Sequence, residues 1–301
     1  MQLTVKKALV TGSGGFAGRH YTSALEEDGF QVLGVDPTDP RASPPADARD
    51  FFRKDNAHFD LVIHCAAVVG GRATIDGAPL ALASNLELDA GLFQWALRTK
   101  VGRVVYVSSS AAYPVEHQSL VRRIALKETM IDPALSRRDI GVPDQLYGWA
   151  KLTGENLAHR ARQEGVNVTV IRPFSGYGED QDESYPFRAF AERARRRADP
   201  FEIWGNPHQC RDFIHIDDIV DATLFMVENG IDGPVNLGTG RAVSMLQLAQ
   251  MFCTQAGYAP VLDIRKNAPM GVAYRVADTT LLNTFYKSKI TLEEGIRRAL
   301  Q

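Results

Sequence analysis

The sequence predicts an α/β fold, a doubly wound parallel sheet followed by a smaller, mixed α/β lobe. Three observations predict it. Short runs rich in Val, Leu and Ile alternate with helical patterns from Lys7 to Arg172. A glycine-rich turn, Gly12 to Gly18, joins the first run to the first helical pattern. After Pro173 the texture changes to polar, turn-rich segments. Strands separated by helices need crossover connections, and crossovers lay the strands parallel with both faces buried.

Each element has its own signal. Lys7 to Val10 is a short apolar run of strand type, and Arg19 to Asp28 is an amphipathic stretch after the glycines. Gln31 to Val35, Asp60 to His64 and Val104 to Ser108 are further strands, with a helical pattern over Ala81 to Thr99 between the last two. A long helix over Leu146 to Glu164 leads to Val168 to Arg172, which closes the series. Pro37 to Ala48 is a Pro/Ala/Asp loop. Beyond the turn-rich Gly176 to Pro186, Phe187 to Arg197 is a basic helix, Phe201 to Trp204 and Asp212 to Ile216 are strands, and Ile219 to Glu228 is a helix. Short helices and loops follow to Gln301. The expected division is a first domain over 1–172, to which elements around 211–240 return, and a smaller lobe over 173–301.

Composition excludes several function classes. The 301 residues suggest two units, at about 150 residues per domain. A 45% hydrophobic and 23% charged content is that of a globular chain, not a disordered or fibrous one. Lys+Arg 34 against Asp+Glu 36 leaves a formal charge of −2, without the basic excess that a phosphate-backbone binder needs. Cys65, Cys210 and Cys253 make neither a disulfide framework nor a zinc knuckle, so reduced thiols and a cytoplasmic location are expected. The seven histidines lie at unrelated spacings, and no metal site is expected. No run of ~18 apolar residues exists to cross a membrane.

Three constellations carry chemistry. Gly12, Gly15 and Gly18 have GxxGxxG spacing between a strand and a helix. Such a turn lets a pyrophosphate approach the backbone, with the helix N–H groups and dipole aimed at it. Asp36 ends the next strand, where a carboxylate accepts bonds from adenosine ribose hydroxyls and repels a 2′-phosphate, which favours NAD over NADP. Tyr147 and Lys151 are four apart at the start of a long helix, so phenol and ammonium share one face. A free phenol titrates near 10 and is a poor base, but an ammonium and a positively charged nicotinamide both favour its ionised form. Ser108, Ser109 and Ser110 stand at the carboxyl end of a strand, the edge where open parallel sheets bind ligands.

With these marks in order, the chain resembles the extended short-chain dehydrogenase/reductase family, the NAD-dependent epimerase/dehydratases that modify nucleotide sugars. The resemblance spans nearly the whole chain. It rests on Thr11 to Gly18, Asp36, His64 to Ala67, Asn85, Ser108 to Ser110, Tyr147 with Lys151, Arg172 to Gly178, and Arg211 to Asp218. It implies a Rossmann-type sheet and NAD as cofactor. It implies Tyr147 as acid/base, Lys151 as its electrostatic partner and ribose contact, and Ser109 as the hydroxyl holding the sugar oxygen. Ser109 is preferred to its neighbours because it lies four residues before Tyr113, where the family's Ser/Thr stands. Gly12, Gly15, Phe16, Ala17, Gly18 and Asp36 would bind the cofactor; His64, Ala66 and Ala67 would line its cleft, Asn85 would support it, and Pro173 would pass the carboxamide. Ser110, Ser175, Arg211 and Arg275 would join Ser109 in binding the substrate, the arginines on the diphosphate.

Departures from the family pattern narrow the reaction. Dehydratases of the family carry an Asp-Glu pair where this chain has Ser110 and Ala111. The decarboxylating branch has Glu at the position of Ala111, and the GDP-fucose synthases and GDP-mannose 3,5-epimerases have Cys. Ala111 can donate no proton, which leaves redox chemistry at one carbon. Ser175 replaces the Asn of many relatives, while the run from Ala66 to Gly71 and the loop after it resemble the fucose-synthase branch more than most others. The expected function is an NAD-dependent nucleotide-sugar 4-epimerase working through a transient 4-keto sugar. The alternatives are a nucleotide-sugar 4-ketoreductase and a non-catalytic NAD-binding protein. A homodimer through a helical bundle is expected, since Trp95 and Trp149 fall on the two helices that pair in the family.

Overall fold

The computed structural model describes residues 5–42, 46–69, 80–131, 141–266 and 270–301. It opens with β1 (Lys7–Thr11), α1 (Phe16–Glu27), β2 (Gln31–Val35), α2 (Ala48–Lys54) and β3 (Leu61–His64). Next come α3 (Ala81–Thr99), β4 (Arg103–Val107), α4 (Gln145–Gln163), β5 (Val168–Pro173), β6 (Ser175–Tyr177), α5 (Pro186–Arg195) and β7 (Phe201–Trp204). The chain ends with β8 (Cys210–Arg211), β9 (Phe213–His215), α6 (Ile216–Glu228), β10 (Val235–Leu237), β11 (Val243–Ser244), α7 (Met245–Gln255), β12 (Leu262–Arg265), β13 (Tyr274–Arg275) and α8 (Leu292–Ala299).

The main sheet has six strands in the order β10-β5-β4-β3-β1-β2, every pair parallel. Its strands alternate which face each side chain meets. Leu9, Val62, Val104 and Val168 point to a layer containing Phe52, Leu92, Trp95 and Ala158. Ala8, Val10, Ile63, Val105 and Ile171 point to the opposite layer, with Tyr21, Leu25, Val220 and Met226. Two buried faces explain why the strands read as continuous apolar runs rather than as alternating ones. The strand order reverses between β1 and β3, so a crevice opens beyond their carboxyl ends. A separate apolar cluster of Tyr177, Phe187, Phe201, Phe252 and Ile296 organises the second lobe around α5, α7 and α8. No helix among the described residues is long and apolar enough to cross a membrane.

Element boundaries differ from the sequence expectation where capping overrides apolar periodicity. Helix α1 starts at Phe16 rather than Arg19, because Gly15 in an extended conformation is its cap. Helix α6 starts at Ile216, since the His215 ring accepts the Asp217 N–H and ends the strand there. Helix α2 was invisible to periodicity, yet Asp47 caps it by accepting from Arg49 N at 2.8 Å. Trp95 lies on α3 as expected but points inward, fully buried against Phe51, Phe52 and Phe59. Trp149 is the outward one.

Candidate active site

A cavity of about 1030 Å³ lies over the carboxyl ends of the central strands and runs into the second lobe. Gly12, Gly15, Phe16, Ala17 and Gly18 line one end. Gly12 has φ +71°, and a Cβ there would meet Ala66 N at 2.7 Å. A Cβ on Gly18 would fall 2.0 Å from Gly12 O. These two glycines therefore let β1, β3 and α1 close up. Gly15, which a Cβ would crowd only against Gly12 O at 3.2 Å, caps α1 at the cavity wall. That cradle at a helix N-terminus fits a pyrophosphate.

Asp36 also lines this end, its Oδ1 accepting from Thr38 N (2.7 Å) and Thr38 Oγ1 (2.6 Å). Asp47 and Arg49 stand nearby as an ion pair at 2.6 Å. Arg49, by hydrogen bonding to it, holds the Asp47 carboxyl below the usual carboxylate range. Ala66 and Ala67 line the cavity; His64 does not. It is fully buried beneath, with Nδ1 2.8 Å from Thr11 Oγ1 and Nε2 3.3 Å from Asp89 Oδ1. Burial lowers its pKa, so the neutral ring accepts from Thr11 and donates to Asp89. Asn85 is likewise behind the wall, and it holds both Val68 N (2.6 Å) and Val68 O (3.1 Å). It thus fixes the stretch that carries Ala66 and Ala67. Gly70 and Gly71 lie outside the described residues. Cys65 lines the cavity too, and burial pushes its thiol up to about 12, so it stays protonated.

The middle of the cavity is lined by Ser109, Ser110, Tyr147, Lys151 and Pro173. Lys151 is 3% exposed; its Nζ donates to Val107 O at 2.9 Å. The same ammonium lies 5.2 Å from the Tyr106 ring and 5.8 Å from the Tyr147 ring. The Tyr106 hydroxyl is pinned by Asp89 at 2.7 Å. Sequence reasoning missed this support because its members sit on three separate elements, α3, β4 and α4. Ser109 Oγ accepts from Ala111 N at 3.1 Å, which sets its side chain at the strand tip.

Toward the second lobe the lining includes Ser175, Arg211 and Arg275. Arg275 donates to Asp144 Oδ2 and Gln118 Oε1, each at 2.6 Å. Arg211 donates to Cys210 O at 2.8 Å. Asp144, which also lines the cavity, donates its backbone N–H to Ala111 O at 2.9 Å. The Asp144 backbone thus abuts Ala111, while its carboxylate is the partner of an arginine. Arg193 and Trp204 complete this end, the guanidinium 5.6 Å from the indole ring. The sequence marks Arg193 only as one of the basic run Arg193, Arg195, Arg196 and Arg197, and it does not mark Trp204. Among the described residues, no group of three or more metal-ligating side chains converges.

Comparison with known proteins agrees with this geometry. The family described as NAD dependent epimerase/dehydratase matches residues 8–238. The chain is 28% identical to a dTDP-4-dehydro-6-deoxy-D-allose reductase of a Streptomyces species, over 92% of this chain and 90% of that one. It is also 28% identical to GDP-mannose 3,5-epimerase 1 of Oryza sativa subsp. indica, over 96% of this chain and 79% of the relative. The crystal structure of UDP-glucose 4-epimerase with UDP-glucose from Thermotoga maritima is similar at a TM-score of 0.79 and 25% identity, covering 98% of this chain and 97% of that one.

Proposed function

Because the chain belongs to the NAD dependent epimerase/dehydratase family, we propose that it is a nucleotide-sugar 4-epimerase that keeps its cofactor through each turnover. One observation carries the reading. Ser109, Tyr147 and Lys151 share a single cavity with the glycine cradle, while the neighbouring position that could bear a second acid is Ala111. Bound NAD supplies a hydride acceptor that can return what it takes. Gly12, Gly15 and Gly18 would hold its pyrophosphate, Asp36 its adenosine ribose and Lys151 its nicotinamide ribose.

In this reading Tyr147 takes the 4-hydroxyl proton of the sugar while Ser109 holds the same oxygen. It returns a proton to the 4-keto oxygen once the sugar presents its other face. A positioned acid/base is worth roughly 10²–10⁴-fold. The Lys151 ammonium lies 5.8 Å from the Tyr147 ring, within the same cavity. Asp144 supplies no free acid for dehydration, since Arg275 holds it. Arg211 and Arg275 bind the diphosphate, a task suited to a forked cation. The enzyme works in the cytoplasm with its three thiols free. It pairs through α3 and α4, whose outward surface bears Leu97 and Trp149.

A second reading, a 4-ketoreductase of the same sugars, is favoured by the 28% identity to a Streptomyces reductase. It uses the same three residues and exchanges cofactor each cycle. Incubation of the purified protein with UDP-, GDP- and dTDP-sugars separates the two. The epimerase interconverts an epimer pair with no cofactor added. A requirement for stoichiometric NADH or NADPH contradicts it and leaves the reductase.

A further inference from the structure

Tyr147, Lys151 and Glu155 fall at four-residue intervals on α4 and so form one stripe of one helix face. The reading above uses the first two. Glu155 is 2% exposed and receives three donors. The Ser108 hydroxyl donates to its Oε1, as does Arg172 Nε at 2.8 Å, and Arg172 Nη2 donates to Oε2 at 2.5 Å. Arg172 is itself fully buried, and all five of its N–H groups are used. Two go to Glu155, and the others to Tyr113 Oη (3.0 Å), Glu128 O (3.1 Å) and Ile131 O (2.6 Å).

The placement of these bonds matters more than their number. Lys151 holds Val107 through its carbonyl, Glu155 holds Ser108 through its hydroxyl, and the next residue is Ser109. Arg172, gripped by the same carboxylate, is followed by Pro173. Ser109 and Pro173 both line the cavity, one at the tip of β4 and the other at the end of β5. The helix that carries Tyr147 thus fixes both strand tips through one buried carboxylate.

We propose that Glu155 is a positioning residue: it sets the spacing of Ser109 and Pro173 from Tyr147, and so governs the rate of the chemical step without touching substrate. The proposal rests on the catalytic reading above. A displacement of about 1 Å at such a site costs about a hundredfold in rate. A buried ion pair that served stability alone could be exchanged for apolar residues without loss of rate, because such exchanges are commonly neutral or stabilising.

The test compares wild type with Glu155→Gln, Ser108→Ala and the double variant Glu155→Leu/Arg172→Met. The probe is the UDP-, GDP- or dTDP-sugar that wild type turns over fastest, with NAD affinity measured by calorimetry. The expected result is a ten- to hundredfold fall in kcat for Glu155→Gln and for the double variant. A smaller fall in the same direction is expected for Ser108→Ala, which leaves the ion pair intact. KM and NAD affinity stay within twofold. Should Glu155→Gln not fold, the double variant and Ser108→Ala decide. Folded variants that keep wild-type kcat overturn the proposal and leave the function standing. A wild type inactive on every sugar overturns the function, and the proposal with it.

Discussion

In the proposed mechanism the chemistry turns on Lys151. Its ammonium is buried, fixed by Val107 O, and set between the rings of Tyr106 and Tyr147. The cation and the half-buried Tyr147 ring thus line one cavity, on one face of α4. Tyr147→Phe is accordingly expected to lower turnover by about 10²–10⁴-fold, the usual worth of a positioned acid/base. NAD affinity, read by calorimetry, should stay nearly unchanged, because the proposed mechanism uses the lost hydroxyl for the proton path alone. A fully active variant would remove Tyr147 from the role. That the glycines, Tyr147 and Lys151 line one cavity was legible in the sequence because their spacing is local and each set stands at a strand end or helix start. His64 was misplaced for a physical reason. A histidine at a strand end can face the cleft or the layer below, and Asp89, 25 positions on, draws it below.

At the scale of elements, α4 decides how the site is built. Gly154 lies on its buried face, where a Cβ would fall 1.8 Å from the Tyr106 hydroxyl and 2.6 Å from Asp89 Oδ2. That hydroxyl is fully buried and tied to Asp89, so it has no easy way to yield. Gly154→Ala would gain about 1 kcal/mol of helix propensity. Overpacking a core costs about 1–3 kcal/mol. Net destabilisation is therefore expected in denaturant unfolding, with turnover reduced as Tyr106 shifts beneath Lys151. Increased stability would contradict this account of the α3–α4 contact. The helices and parallel strands could be read from periodicity, since burial on both faces leaves an apolar signature. The start of α6 and the whole of α2 could not. Side-chain caps from His215 and Asp47 set those ends, and a cap leaves almost no periodic trace.

For the whole molecule, the carboxylates set the response to acid. Arg297 and Arg298, by hydrogen bonding, hold Glu294 at about 2. Arg49 lowers Asp47, Arg265 lowers Glu202 and Arg241 lowers Glu293 in the same way. A carboxylate whose folded pKa is depressed adds stability above its unfolded value of about 4, and that stability is lost as pH falls toward the folded value. Burial raises Glu128 and Asp212, which act in the opposite sense. The depressed group is the larger. Unfolding free energy should thus hold from about pH 7 to 5 and fall between about pH 4 and 2; a rise over that lower window would contradict the balance. The union of the two lobes over one cavity was only partly legible. Arg211 and Arg275 were expected there from resemblance, whereas the Asp144 partner of Arg275 comes from 131 positions away and no local pattern announces it. The most direct test of the central claim follows a sugar deuterated at carbon 4 through turnover by the purified protein, read by NMR, with UDP-glucose, GDP-mannose and dTDP-glucose as probes. The account predicts that one of them yields its 4-epimer without added cofactor and with the deuterium still on carbon 4. Loss of that deuterium to water, or product only in proportion to added NADH or NADPH, would contradict it.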